Sequence, residues 1–476
     1  MCLGSQKKGG QIMAKPSIVY MLLIAGAAAL GGFLFGFDTA VINGAVLALK
    51  EHFGAGDWLI GLAVSLALLG AAGGAFFAGQ LADRFGRKPC MVGAAALFFA
   101  SSIGSGAPFG IYDFIFWRVV GGIGVGAASV IAPAYIAETA AARLRGRLGS
   151  LQQFAIVLGI FAALVSNFVI VRLSGGASRT FWLGTHAWQW MFWVEAIPAL
   201  VYGAAALCIP ESPRHLVAKG RIEDSEVILL RLQGDEAIGR AAEIQASLRG
   251  KRNPRLSDVL IEGAKGLRRI HPVVWSGLGL AVLQQLVGIN VIFYYGSALW
   301  RSVGFSEQDS LMLNVFSSIV NIATTLIAIA TVDRLGRKPL LLVGSLGMFA
   351  SLFAMAIAFA TAPVVGGQPS LSGIGAWTAL GAANLYIVFF GMSWGPVMWV
   401  MLGEMFNNRI RGAALALCGL FQWLANFAVS ITFPPLASGI GLGGAYSIYA
   451  FFAFISIFFV WKGVTETRGV ELEAMK

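Results

Sequence analysis

Charge is scarce in this chain. Only 12% of its 476 residues are Asp, Glu, Lys or Arg, about half the share of a soluble domain. Repeated windows of roughly 20 residues carry none at all, which is the length that crosses a bilayer. A water-soluble enzyme needs polar loops and faces that are missing here. Histidine is almost absent. His52, His186, His215 and His271 all fall in or near loops, and no span clusters a nucleophile with a base, so an enzyme is not expected. The cysteines Cys2, Cys90, Cys208 and Cys418 are scattered. They show neither metal-ligand spacing nor a disulfide framework, so no metal site and no cofactor is expected. The net charge of +11 forms no basic stripe interleaved with aromatics, and nucleic acid is not an expected partner.

What is abundant is apolar length. Hydrophobic residues make up 57% of the chain, and the mean hydropathy is +0.77. About twelve spans are long enough to cross a membrane. The first six run roughly over 18–49, 58–82, 90–108, 111–137, 148–171 and 187–209. The second six run roughly over 273–300, 311–332, 340–364, 375–402, 413–436 and 444–461. The expectation is an all-α polytopic membrane protein in two six-helix bundles. It divides into a tail (1–16), a first bundle (17–210), a linker (211–272), a second bundle (273–464) and a second tail (465–476). The linker contains amphipathic runs at 223–232 and 237–248, expected as short helices. Small residues such as Gly121, Gly122, Gly124 and Gly126 let helices approach closely in lipid. Lys and Arg concentrate in one set of loops, which assigns those loops and both termini to the cytoplasm.

Two heptapeptides are nearly identical: Asp83-Arg84-Phe85-Gly86-Arg87-Lys88-Pro89 and Asp333-Arg334-Leu335-Gly336-Arg337-Lys338-Pro339. Each joins two apolar spans at matching places in the two halves. Glu138 with Arg143 and Arg145 returns as Glu404 with Arg409 and Arg411, and Glu211-Ser212 is loosely echoed by Glu466-Thr467. Duplicated polar hairpins between apolar spans are the pattern of a transporter built from two similar halves. Asp83 and Asp333 can cap the next segment or hold a neighbouring Arg. Glu138 and Glu404 can pair with Arg87, Arg337 and the other loop arginines. Such pairs across the cytoplasmic face are expected to act as a gate, holding the outward-open state closed on that side and breaking as the halves rock.

Membrane-buried charges need a partner or a role. Asp38 lies midway along the first span and Arg118 opens the fourth. They read either as a proton relay or as a permanent structural pair. Glu195 is expected as a structural hydrogen-bonding residue near the cytoplasmic end of the sixth span. Amides form a second set: Gln153, Gln284, Gln285, Asn290, Asn321, Gln422 and Asn426. Amides both donate and accept, which suits a neutral polyol, although each could instead join helices. Phe35, Tyr294, Tyr295, Trp394, Trp399 and Trp423 accompany them. Gln284, Gln285 and Asn290 cannot share a narrow helical face, so the seventh span either spreads them or unwinds near Gly288. Gly395-Pro396 marks a second candidate break.

These residues resemble the sugar porter family of the major facilitator superfamily over about 20–470. The likeness is carried by the two heptapeptides, by Pro210-Glu211-Ser212-Pro213-Arg214, by Gln284-Gln285 with Gly288, Asn290, Tyr294 and Tyr295, and by Gly395-Pro396-Val397 with Trp399. It is strongest to bacterial proton-coupled xylose, galactose and arabinose symporters, and extends to plant proton–hexose symporters. Animal glucose facilitators typically have Asn where this chain has Asp38. The resemblance implies a major facilitator fold that works as a monomer in a bacterial inner membrane. It implies proton-coupled symport of a monosaccharide such as glucose, galactose or xylose by alternating access. A passive facilitator is the alternative. A sugar sensor is the distant one, set aside because sensors usually carry a long cytoplasmic tail. By the same likeness Gln153, Gln284, Gln285, Asn290, Asn321, Trp399 and Gln422 contact sugar, Phe35 and Tyr294 line the pocket, and Asp38 and Arg118 are the coupling pair. The chain departs from the family pattern at Thr465, where Pro is usual, and at Gln189, where Arg is usual.

Overall fold

The computed structural model describes residues 18–140, 145–234, 239–248, 259–260, 270–365, 368–406 and 410–468. It contains twelve helices long and apolar enough to cross a membrane. The first five spans are Ile18–Phe53, Asp57–Phe85, Arg87–Gly106, Ile111–Thr139 and Arg145–Ser174. The sixth is broken into Ala187–Trp193 and Ala196–Cys208. The seventh is likewise two helices, Pro272–Leu286 and Ile289–Ser302. Its break falls at Gly288, whose φ is 82°, one of the two outcomes that the spacing of its amides left open. The eighth and ninth are Glu307–Leu335 and Arg337–Ala360. The tenth runs Gly373–Phe389, passes through a π-helical turn at Phe390–Trp394, and resumes as Gly395–Glu404. The π-turn sits one turn ahead of Pro396, whose missing N–H cannot bond back along the helix. The last two spans are Arg411–Gly439 and Gly441–Gly463.

Spans one to six pack mainly on one another, as do seven to twelve. The result is the two six-helix bundles of a major facilitator fold. Close approach of bare backbone holds the first bundle together. A Cβ on Gly122 would lie 1.9 Å from the Ala67 carbonyl oxygen, and one on Gly126 2.0 Å from that of Ala71. Only glycine lets the fourth span lie against the second at that distance. Between the bundles, Pro213–Ala218, Ile222–Gln233 and Arg240–Leu248 form a small helical cluster around Val217, Leu229 and Ala241. The first of these helices was not expected. Its signals are the Ser212 N-cap and Pro213 at its first position. A two-residue antiparallel pair, Val364–Val365 with Gln368–Pro369, lies before the tenth span.

The bundles meet chiefly through spans one with seven, two with eleven and five with eight. Among the described residues, hydrogen bonds cross between them in the half away from the basic loops, and two sets stand out. In one, the Ala177 amide donates to Glu307 at 3.1 Å. The other centres on Asn43. Its amide donates to the Phe293 carbonyl at 2.8 Å, and its Oδ1 accepts from the Ser297 amide at 3.1 Å and from Asn314 Nδ2 at 3.0 Å. The Ser297 hydroxyl also donates to the Asn43 carbonyl.

Candidate substrate and coupling sites

Arg118 enters from the fourth span and grips Asp38 twice. Its Nη1 donates to Asp38 Oδ1 at 2.8 Å, and its Nη2 to the Asp38 backbone carbonyl at 2.9 Å. Both side chains are essentially sealed, at 0% and 2% exposure. Gly121 makes room for the carboxylate: a Cβ there would lie 2.4 Å from Ser101 Oγ and 3.1 Å from Asp38 Oδ1. The Phe192 ring lies 5.8 Å from the guanidinium and gives it a π face.

Glu195 corrects the sequence reading. It occupies the turn that breaks the sixth span, nearer the end away from the basic loops than the cytoplasmic end assigned to it. It is 1% exposed and is a direct electrostatic neighbour of Asp38 and Arg118. Its carboxyl lies within hydrogen-bonding reach of the Asp38 carboxyl, a contact that needs a proton on one of the two, and its oxygens have no other described partner. Two carboxylates therefore share one guanidinium in a buried volume. The trio is neutral only when it holds one proton.

The amides of the seventh span join into a chain. Asn290 donates to Gln285 at 2.6 Å, Gln285 to Gln284 at 3.0 Å, and Gln284 to the Trp394 carbonyl at 2.9 Å. The break at Gly288 turns Asn290 back toward Gln285, and the π-turn frees the Trp394 carbonyl to accept. Tyr386 donates its hydroxyl to the Val287 carbonyl at 2.7 Å and so satisfies the backbone exposed by the break. The structure thus brings Gln284, Gln285 and Asn290 together. Gln422 is buried with its Oε1 unpaired. Tyr294 accepts from Asn426 at 3.5 Å. Phe35 packs on Trp423 across the bundles, with ring centroids 5.7 Å apart, and stands one turn before Asp38. Gln153 is half-buried on the fifth span, while Asn321 is buried beside Gly391 of the π-turn. Trp399 is 43% exposed, unlike the rest of this set.

The basic loops are built twice to one plan. Arg87 pairs with Asp83 at 2.9 Å and Glu138 at 3.0 Å, and Ser212 donates to Glu138 at 2.5 Å. In the second half Arg337 pairs with Glu404 at 2.8 Å, and Thr467 donates to Glu404 at 2.6 Å. Glu211 accepts from the Arg87 and Lys88 amides, and Glu466 from those of Arg337 and Lys338. Each carboxylate thus caps the positive end of a membrane helix. Gly86 and Gly336 are required there, with φ of 106° and 88°; a Cβ would strike Glu211 at 2.2 Å or Glu466 at 2.9 Å. Burial holds the His215 imidazole below its usual range. Neutral, its Nδ1 faces Arg87 Nη1 at 3.4 Å as an acceptor.

Each of these described pairs stays within its own half; the gate across the halves, expected for the outward-open state, is not among them. Arg411 opens the eleventh span beside Gly403. Arg143 and Arg409 lie outside the described residues, as do the side chains of Arg145 and Asp333. Gln189, where the family pattern has Arg, donates to the Gly106 carbonyl and accepts from the His186 amide, both at 2.8 Å.

Residues 24–476 match the family described as "Sugar (and other) transporter". The chain is 59% identical over 460 residues to the glucose transport protein of Synechocystis sp., covering 96% of this chain and 97% of the relative. It is 38% identical over 491 residues to the D-xylose-proton symporter of Escherichia coli K12, covering 96% and 95%. Among solved structures it resembles the xylose transporter XylE from E. coli in a partially occluded inward open conformation. There the TM-score is 0.82 at 36% identity, over 95% of this chain and 99% of the other. With the fold, the duplicated loops and these likenesses in agreement, the chain is a multi-pass membrane protein of the sugar porter family of the major facilitator superfamily.

Proposed function

We propose that the protein is a proton-coupled symporter of a monosaccharide, with a glucose-like hexose as its first candidate substrate. Sugar binds at the amide chain Gln284–Gln285–Asn290, joined by Gln422, Gln153 and Asn321. Phe35, Tyr294, Trp399 and Trp423 offer apolar faces to the sugar ring. The single observation that carries the coupling is the buried trio of Asp38, Arg118 and Glu195, which is neutral only while it holds one proton. A proton on Asp38 weakens its hold on Arg118 and lets the first and fourth spans move. Phe35, one turn away on the same helix, passes that movement to the sugar site. The Synechocystis relative is named for glucose alone and the E. coli relative for xylose and a proton, so hexose and coupling draw on different relatives.

The basic loops face the cytoplasm of a bacterial cell, by the excess of Lys and Arg on that side. The cross-bundle bonds of Asn43 and Glu307 then close the outer half in the described conformation. At a driving force of about 150 mV, one proton supplies roughly 3.5 kcal/mol, enough for about 300-fold accumulation. The test is uptake of labelled glucose and xylose into proteoliposomes, with and without an inward proton gradient, by wild type and Asp38→Asn. Symport requires accumulation that the variant loses while sugar exchange survives. Downhill flux alone, equal in every condition, makes the protein a facilitator.

A further inference from the structure

We propose that His52 and His186 form a binding site for a transition-metal dication of the zinc class, with water completing its coordination. His52 ends the first span and His186 begins the sixth. They stand far apart in the chain, which hides the pair from any reading of sequence spacing. Their rings lie 5.2 Å apart, centroid to centroid, at 68°. With a Zn–N bond of about 2.1 Å and a ring centre about 1.1 Å beyond the nitrogen, tetrahedral ligation puts two imidazole centroids about 5.2 Å apart.

The surroundings suit a metal. His186 Nδ1 lies 2.9 Å from the Ser178 carbonyl. A carbonyl only accepts, so Nδ1 carries the hydrogen and the neutral ring keeps a lone pair on Nε2. A backbone carbonyl on the second nitrogen is how metal-bound histidines are usually oriented. Gln189 fixes the same residue by accepting from its backbone amide. The two rings border a cavity of about 190 Å³ together with Glu51, Ser178 and Trp188. Among the described residues no third His, Cys, Asp or Glu completes a protein-only site. Water therefore fills the remaining positions, with Glu51, whose carboxylate already accepts from Ser178 at 2.7 Å, holding it from outside. Imidazole ligands select zinc, copper and nickel over calcium and magnesium.

Such a metal ties the end of the first span to the segment that carries Ala177. That segment makes the cross-bundle contact to Glu307, so metal favours the state in which this end is closed. The test uses untagged full-length protein in lipid nanodiscs, titrated calorimetrically with Zn2+ and spectroscopically with Co2+. Expected is one equivalent bound by wild type and no magnesium or calcium. Binding is lost in His52→Ala and in His186→Ala, and kept in His271→Ala. Glu51→Gln weakens it about tenfold. Sugar binding by each variant checks its fold. Zn2+ should also slow sugar uptake by wild type, and a chelator should restore it. No stoichiometric binding by wild type, or equal binding by the His52→Ala/His186→Ala double variant, overturns the site. Undiminished uptake at saturating Zn2+ overturns the bracing.

Discussion

Asn43 and Ser297, on different bundles, share two hydrogen bonds, one from the Ser297 backbone amide to the Asn43 side chain and one from the Ser297 hydroxyl to the Asn43 carbonyl, and Asn314 adds a third to the Asn43 side chain. A transport cycle must break this clasp to open the half away from the basic loops. Asn43→Ala removes the side-chain part and leaves Asn314 and the Ser297 amide unpaired. The cost is about 1–3 kcal/mol, or roughly a 5–150-fold shift of the equilibrium toward the state open at that end. Spin labels on cysteines at Gly110 and Ser372 should show a larger population at long distance. An unchanged distance distribution would mean the clasp does not set the resting state.

Arg118 is the only cation described within the buried trio. Arg118→Met leaves Asp38 and Glu195 without a counter-charge, and should destabilise the protein by about 3–5 kcal/mol. Adding Asp38→Asn to Arg118→Met should recover much of that loss, because the two residues are coupled. Thermal melts of the two single variants and the double variant in one detergent give the comparison. Strictly additive losses would contradict the arrangement.

At Gly288, alanine meets both a left-handed backbone and the Tyr449 ring, 2.7 Å from the new Cβ. The backbone alone costs roughly 1–2 kcal/mol. The variant should straighten the break and draw Asn290 from Gln285, lowering sugar affinity by tenfold or more, about 1.4 kcal/mol. Equilibrium sugar binding to purified protein measures it. Wild-type affinity would separate the break from the sugar site.

Burial pushes the Glu466 carboxyl up, but the amides of Arg337, Arg468, Lys338 and Thr467 outweigh it and hold the group below the usual carboxylate range. A lowered folded-state value means stabilisation that is present above the unfolded value of about 4.3 and lost as pH falls through the lower folded value. Hydrogen exchange at the Arg337 and Lys338 amides should therefore stay slow through about pH 4.3 and quicken only below it. Glu466→Gln should flatten this dependence. Protection lost near neutral pH would argue against the cap.

Much of this structure is legible in the chain because lipid enforces simple rules. Apolar length fixes the spans, and the crowding of Gln284, Gln285 and Asn290 offered a break near Gly288 as one of two outcomes, the one the structure takes. The echo of Glu211-Ser212 in Glu466-Thr467 anticipates two matching caps. What escaped has physical causes. Glu195 was misplaced because apolar length does not reveal a kink at Val194–Glu195, and the kink is what turns its carboxylate toward Asp38. Asn43 gave no signal, since a lone amide can as readily join helices of one bundle as of two. The described loop pairs within each half were not separated beforehand from the gate pairs expected across the halves, because sequence pairs charges without saying which body carries them.

That last point bears on salt. Arg87 with Glu138, and Arg337 with Glu404, ride on their own bundles, so a rocking motion carries each pair along intact. No ion at these positions has to be stripped of its partner and rehydrated partway through a cycle. Partly buried pairs are also screened little by dissolved ions. The turnover of this protein should therefore be nearly indifferent to ionic strength, although its cytoplasmic face is crowded with charge.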